Sequence, residues 1–400
     1  MRLRGATAVL FVLALIVVVS RPDRAAGQKP FDGREIFRFD TFGDEQLWTD
    51  TLHLEQAIAT VTPAAALAVG LKVDAEALPP PVVAALKAGQ LNVNDVKVTR
   101  RLLELNAVVG IVGKVTGDRV KSIGTTCALC HSTVDNSLGT GIGRRLDGWP
   151  NRDLNVGAIA SLSPALSAGL KAEFMKWGPG KYDPRHHVFN GNNLVIRHSP
   201  SFPVVIPPAY GLKDVGFETF TGDGPISYWN SYVGVTQMGG QGNFSDARIG
   251  LFVTQKPDLV TPKLPALLAY QLSLNAPAPP AGSFNAAAAA RGRTVFNGTT
   301  ARCGTCHEGP TYTDVLSGPN PRVPLLHEPS EVGAESVYSS RSATGKYRTT
   351  PLRALWQHPP YFHDGHARDL RAVVSHYERF FGLGLSAQQT TDLIEFLKSL

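Results

Sequence analysis

The chain has 400 residues, room for more than one domain, with 39 basic against 33 acidic side chains and a formal charge of +6. Charged residues make up 18% and hydrophobic ones 43%, which excludes a disordered polyelectrolyte and fits a packed core. Much of the basic excess lies in Arg2, Arg4, Arg21 and Arg24, and no basic block or aromatic-interleaved patch points to nucleic acid.

Residues 1–27 have the make-up of a secretory leader. Arg2 and Arg4 precede an apolar run from Ala6 to Ser20, and Ala25-Ala26-Gly27 offers small residues for cleavage. That run is short against the roughly 20 residues of a spanning helix. The expectation is an exported, periplasmic chain starting at Gln28 with no membrane span, anchored only if the leader stays uncleaved. Phe31 to Asp50 is aromatic and acidic, and Gly33 to Phe37 has a Gly-x-x-x-Phe pattern. Residues 55–90 read as short helices broken at Pro63 and Pro79-Pro80-Pro81. Val98, Leu102, Leu105, Val109 and Val112 recur at helical spacing and predict an amphipathic helix from Asp95 to Val112.

Next comes Cys127-Ala128-Leu129-Cys130-His131, repeated later as Cys303-Gly304-Thr305-Cys306-His307. All 4 cysteines fall in these two motifs. A Cys-x-x-Cys-His run is the attachment site of a c-type haem. Two thiols add to the two vinyl groups on one porphyrin edge, and the adjacent imidazole binds iron as proximal ligand. Zinc knuckles or a redox dithiol also use Cys-x-x-Cys, but neither needs a histidine directly after the second cysteine. Two haem c groups, with His131 and His307 as iron ligands, are the expectation. Attachment of haem outside the cytoplasmic membrane in bacteria agrees with the leader.

After His131 the chain turns loop-like, with glycines too irregular for a phosphate loop and Arg144 and Arg145 as candidate propionate partners or plain solvated charges. Residues 176–250 are crowded with Gly, Pro and aromatics, as an irregular segment wrapped round a cofactor would be. A helix from Pro265 to Gln271 and a Pro/Ala-rich linker follow. The expected boundaries are a haem domain over 28–265, a linker over 266–284 and a cytochrome c domain over 285–400. In the last, Asn285 to Phe296 forms an Ala-rich helix before Cys303. Ser386 caps a terminal helix with Leu393, Phe396, Leu397 and Leu400 on one face.

Tyr347-Arg348-Thr349-Thr350-Pro351-Leu352-Arg353, then Pro359-Pro360-Tyr361-Phe362-His363-Asp364-Gly365, then Leu370 to Tyr377, carry a specific likeness. This C-terminal part resembles that of the bacterial di-haem cytochrome c peroxidases and of the related haem enzyme of methylamine utilisation. The resemblance covers 285–400 well, 120–250 loosely and 28–110 not at all. It implies a mainly α fold of two class I cytochrome c-like haem domains with long irregular connections. It also implies a sixth ligand for the second haem. Where the peroxidases have methionine this domain has none, and Tyr377 stands fourteen positions after His363. In the methylamine-utilisation branch a tyrosine binds iron there, so Tyr377 is the first candidate, with His376 and His363 behind it. A core tyrosine is the alternative.

For the first haem the resemblance implies a Trp between the haems and a distal glutamate as acid–base group. The nearest matches are Trp229 and Gln237-Met238-Gly239, over a shorter stretch than the family's. Glutamine cannot exchange a proton, so Gln237 puts peroxidase chemistry in doubt unless Asp223 or Asp246 serves. The distal position is open, or held by Met238, or by His186, His187 or His198. The leading expectation is an exported electron carrier acting between periplasmic donor and acceptor proteins. The alternative is a peroxidase or peroxide-dependent oxidase, taking hydrogen peroxide at the first haem with the second as relay. A third is a structural cytochrome subunit docked through residues 28–110. If the attachment reading holds, Cys127→Ala or Cys303→Ala removes one covalent haem and spares the other. Mass spectrometry of the mature chain with fewer than two haems would overturn it.

Overall fold

Gly33 opens one helix and Gly292 lies in the middle of another; each is crossed at the glycine by a later helix, and these two crossings organise the protein. The computed structural model describes residues 30–400, and Asp32–Leu400 form one compact unit. The leader expected over 1–27 lies outside the described residues. Helix α1 (Gly33–Phe39) starts where the Asp32 carboxylate accepts hydrogen bonds from the amides of Arg34 (2.8 Å) and Glu35 (3.2 Å). It buries Ile36 and Phe37. A Cβ on Gly33 would overlap the carbonyl oxygen of Ala266 in a later helix, so only glycine admits this approach.

Helix α2 (Val96–Glu104) is capped by Asp95, whose carboxylate accepts from the Lys97 amide at 2.8 Å. The single helix expected over Asp95 to Val112 therefore stops early. In its place β1 (Ile111–Thr116) and β2 (Arg119–Thr125) form an antiparallel hairpin turned by Gly117-Asp118. The reason is legible afterwards. Asn106 and Gly110 take positive φ, Gly117 has φ 57°, and the flanking residues are β-branched. The hairpin delivers the chain to α3 (Ala128–His131), inside the first Cys-x-x-Cys-His motif.

From there to residue 262 the elements are short, as the composition predicts. Helix α4 (Ala168–Phe174) precedes β3 (Lys181–Tyr182), β4 (His187–Phe189), β5 (Leu194–Ile196) and β6 (Val204–Val205). These pair antiparallel as β3 with β6 and β4 with β5. Helix α5 (Ile226–Tyr232) runs on into a π-helical turn, Val233–Gln237. A π turn inside a helix commonly marks a functional site, because the widened turn re-aims the following side chains.

Helix α6 (Leu264–Ser273) is the element that meets Gly33. The expected boundary at 265 falls at the start of this helix, and the connecting stretch begins after it. Helix α7 (Ala286–Asn297), α8 (Leu370–Phe381) and α9 (Ala387–Ser399) close the chain. The α9 cap is reciprocal. The Gln389 amide donates to the Ser386 hydroxyl (3.2 Å), and the Ser386 amide donates to the Gln389 side-chain oxygen (2.9 Å). Phe296, Leu370, Val374, Leu393, Phe396 and Leu397 form one apolar cluster, each burial contributing about 1.5–3 kcal/mol. The face expected for the last helix is thus the buried one, with Leu400 half-buried at its end. The fold is mixed rather than purely helical. Helices predominate, and the strands form two-stranded sheets.

No helix among the described residues is long and apolar enough to cross a membrane. A Cβ on Gly292 would overlap the Asp392 carbonyl oxygen of α9. Gly292→Ala should therefore force α7 and α9 apart and lower stability by about 3 kcal/mol. Gly169→Ala, in open space on α4, should be neutral or slightly stabilising. Thermal unfolding of the two variants beside wild type checks the contrast.

Candidate haem sites

Each Cys-x-x-Cys-His motif forms the wall of its own cavity. His307 follows a short turn after α7, and its Nδ1 lies 3.0 Å from the carbonyl oxygen of Tyr312. His131 repeats the arrangement, with Nδ1 3.1 Å from the carbonyl oxygen of Pro207. A carbonyl can only accept, so both imidazoles hold their proton on Nδ1 and present a bare Nε2. Burial favours the neutral ring in both. It pushes His131 down to about 4, against a smaller opposing effect of the Pro207 carbonyl. It lowers His307 as well. The two motifs line different cavities, so the four thiols do not converge on one zinc.

The second cavity holds about 620 Å³. That is within the roughly 300–1,000 Å³ of small-molecule and cofactor sites. Cys303, Cys306 and His307 face Phe362, His363, His376 and Tyr377 across it. His376 Nε2 is taken up by the Val332 carbonyl at 3.0 Å, and His363 Nε2 by Glu335 at 2.7 Å. The Tyr377 hydroxyl makes no hydrogen bond among the described residues. Its pKa is pushed up to about 12, making the phenol a weaker acid, by burial first and then by the neighbouring Cys303 and Cys306 thiols, which places the phenol close to the attachment cysteines. A paired thiol set, a bare imidazole nitrogen and a free phenol around this volume fit haem c.

The first cavity is tighter, about 230 Å³, lined by Cys127, Cys130, His131, Trp229, Gln237 and Met238. The donor set is the same, so it fits haem c in chemistry, and seating the ring requires the lining to part. Trp229, Gln237 and Met238 all line this cavity, and His186, His187 and His198 are not among its lining. Gln237 is fully engaged. Its oxygen accepts from the Tyr182 hydroxyl (2.8 Å), and its nitrogen donates to the His187 carbonyl (3.0 Å) and the Thr236 hydroxyl (3.0 Å). Met238 belongs to the apolar cluster under α1, α5 and α6.

No protein-family profile matches the chain. In an alignment 141 residues long that covers 27% of this chain, it is 29% identical to the cytochrome-c peroxidase IdrP2 of Denitromonas iodatirespirans. Over 148 residues it is 31% identical to the cytochrome-c peroxidase IdrP1 of Pseudomonas sp. (strain SCT). The matched segment spans 38–39% of those relatives' length. Among solved structures, hydrazine synthase of Kuenenia stuttgartiensis superposes with TM-score 0.24 at 23% identity, covering 37% of this chain and 56% of that one. A MauG-like protein associated with microbial copper homeostasis gives 0.29 at 20% identity, covering 36% and 54%. At such scores neither carries weight for the fold. In part of its sequence, the chain is similar to cytochrome-c peroxidases.

The two cavities share part of their lining. Trp229 lines only the first; the residues that border both are Phe220 and Arg348. Asp223 is ion-paired with Arg185, and Asp246 accepts from the Tyr228 hydroxyl at 2.8 Å and pairs with Arg248. Neither lines the first cavity. Among the described residues its carboxylate is Glu218, which sequence reading passed over. Arg144 is exposed beside Asp135, and Arg145 is buried against Asp74 at 2.9 Å; the arginines lining the cavity are Arg348 and Arg353. One signal could have found the bordering residue. Phe220-Thr221-Gly222-Asp223-Gly224 loosely echoes Phe362-His363-Asp364-Gly365 in the other half.

Arg348 donates to Glu218 Oε2 at 3.1 Å and to the Phe217 carbonyl, while Glu218 Oε1 and Arg348 Nε have no partner. Burial raises the Glu218 carboxyl and Arg348 opposes it. Arg348→Met should leave a buried carboxylate alone and cost about 3–5 kcal/mol near neutral pH. A raised acid is protonated first in the folded state, so the loss should shrink as pH falls and Glu218 becomes neutral. Unfolding midpoints at pH 5 and pH 7 check this, and equal losses at both would reject it.

Proposed function

We propose that the protein is an exported di-haem c-type oxidoreductase that reduces a peroxide at the first site with electrons relayed through the second. The common wall of the two cavities carries the reading. Phe220 and Arg348 border both, so a group in one is separated from a group in the other by single side chains. The repeated helix crossings at Gly33 and Gly292 support two class I cytochrome c-like units, one per motif. Similarity to curated cytochrome-c peroxidases agrees with both points.

Bound haem iron would supply one-electron redox chemistry. The protein does the rest. His131 and His307 hold Nε2 bare by tying Nδ1 to a carbonyl, and the cysteines fix the ring edge. Tyr377 is the candidate sixth ligand of the second site, because its hydroxyl has no protein partner whereas His376 and His363 are engaged. In the first site Tyr182 and Gln237 present a polar distal wall, and Glu218 adds a buried carboxyl. A periplasmic electron-donor protein and hydrogen peroxide are the proposed partners. Met238 favours a second reading. It lines the first cavity, and if it caps the iron the protein is an electron carrier.

Adding hydrogen peroxide to the fully reduced holoprotein separates the readings. Reoxidation of both haems within seconds, and a wild-type ferric spectrum with one low-spin and one high-spin or water-bound haem, support the enzyme. Two low-spin haems and no reoxidation, with reactivity appearing only in Met238→Ala, would establish the carrier. In the same experiment Tyr377→Phe should alter the spectrum of the second haem alone. An unchanged spectrum would remove Tyr377 as ligand.

A further inference from the structure

The first cavity is connected to the protein surface by a line of polar side chains that no role above has used. Tyr182, on β3, lines the cavity and donates its hydroxyl proton to Gln237 at 2.8 Å. Its oxygen lies 3.2 Å from His187 Nε2. His187 Nδ1 lies 3.3 Å from His186 Nδ1, and His186 Nε2 is 3.3 Å from Glu173 Oε1, though off the hydrogen-bond line. Glu173, on α4, is 20% exposed at its side chain, whereas His186 is completely buried and His187 nearly so. The row therefore runs from solvent to the distal wall through two enclosed imidazoles.

The surroundings suit proton transfer. Trp177 stacks parallel on His187 at 6.1 Å, and Phe174 packs edge-on against His186 at 5.6 Å. These rings keep bulk water from the imidazoles. Burial first, then the neighbouring His186, pushes His187 down to about 3, so its ring is neutral, with one donor and one acceptor nitrogen. Gln237 fixes both ends of the inner segment. Its oxygen orients the Tyr182 hydroxyl and its nitrogen holds the His187 carbonyl.

The geometry points to a proton relay, Glu173–His186–His187–Tyr182, that feeds the first site. This rests on the peroxide-reducing reading. Reducing hydrogen peroxide to two waters breaks the O–O bond, takes two electrons from the donor protein and consumes two protons. For each proton, the Tyr182 hydroxyl turns from Gln237, releases its proton to a peroxide oxygen and takes one from His187 Nε2. His187 Nδ1 accepts from His186 Nδ1, and His186 Nε2 accepts from the Glu173 carboxyl. Solvent reprotonates Glu173. Each imidazole then carries its proton on the other nitrogen and resets before the second passage. Gln237, unable to titrate, is a positioning residue that holds the terminal hydroxyl at the cavity wall between transfers.

Two isosteric variants test the relay, Tyr182→Phe at the cavity and Glu173→Gln at the surface. The first readout does not depend on turnover. In the ferrous holoprotein saturated with carbon monoxide, which makes an open ferrous haem diamagnetic, 15N NMR should show the His187 ring neutral, with Nε2 protonated and hydrogen-bonded. Tyr182→Phe should shift that nitrogen, and Glu173→Gln should shift His186 Nε2. A doubly protonated ring, or no shift in either variant, would overturn the relay. The second readout is the peroxide reaction in H₂O and D₂O. Each variant should slow it at least about tenfold, the size of one general acid–base contribution or less, with haem content and ferric spectra unchanged. A solvent isotope effect present in wild type and the same in both variants, with unchanged rates, would overturn it. If wild type does not react with peroxide at all, the proposed function falls, and the NMR result still decides whether the relay exists.

Discussion

Everything at the two sites depends on one small constraint, the hydrogen bond between each motif imidazole and a backbone carbonyl. A histidine tethered at Nδ1 cannot rotate freely and cannot protonate Nε2 without becoming a buried cation. The carbonyls come from far apart in the chain, Pro207 for His131 and Tyr312 for His307. The first tether is the demanding one. It ties the helix after the hairpin to the loop beyond β6, across 76 positions. The long irregular segment is thus a requirement of the site, because an extended loop can bring a carbonyl to the ring edge where a helix would have spent it internally. The second tether closes within five positions, which agrees with the shorter, more regular C-terminal part.

How far the sequence spoke depended on how local each signal was. The Cys-x-x-Cys-His motifs, the Ser386 cap and the apolar face of α9 are written in consecutive or helically spaced residues, and they appear where expected. Trp229, Gln237 and Met238 line one cavity, and they were singled out by a resemblance rather than by periodicity. The hairpin was misread because Val109 and Val112 continue a helical spacing by accident, while Asn106, Gly110 and Gly117 carry the turn information. Phe220 and Glu218 were invisible for a different reason. Their importance arises only when residues near 220 meet residues near 348, and one sequence does not show that contact.

The wall between the cavities shows how competing electrostatic effects are settled there. Burial alone would hold Glu218 protonated, and Arg348 alone would hold it ionised. With Arg348 itself buried and lowered by desolvation, the pair is a compromise in which each ion is stabilised mainly by the other. A carboxyl left with one bare oxygen and a guanidinium with one bare nitrogen are poorly satisfied as a closed pair. They are better suited to a site where further charge is to be received, since such groups cost least when the incoming charge completes them.

That view also changes the meaning of Gln237. As a replacement for a distal glutamate, it reads as a loss of function, an amide where an acid is needed. In the folded protein the amide does what a carboxylate cannot. It accepts from Tyr182 with one end while donating to the His187 carbonyl with the other. An ionised glutamate would leave that carbonyl facing a like-charged oxygen, at a cost of about 1–3 kcal/mol for the lost donor. The side chain is therefore matched to its neighbours, and the proton-handling capacity sits one residue further out, in a phenol backed by two imidazoles. A single position that looks inert by its own chemistry becomes the part that orients the groups able to exchange protons.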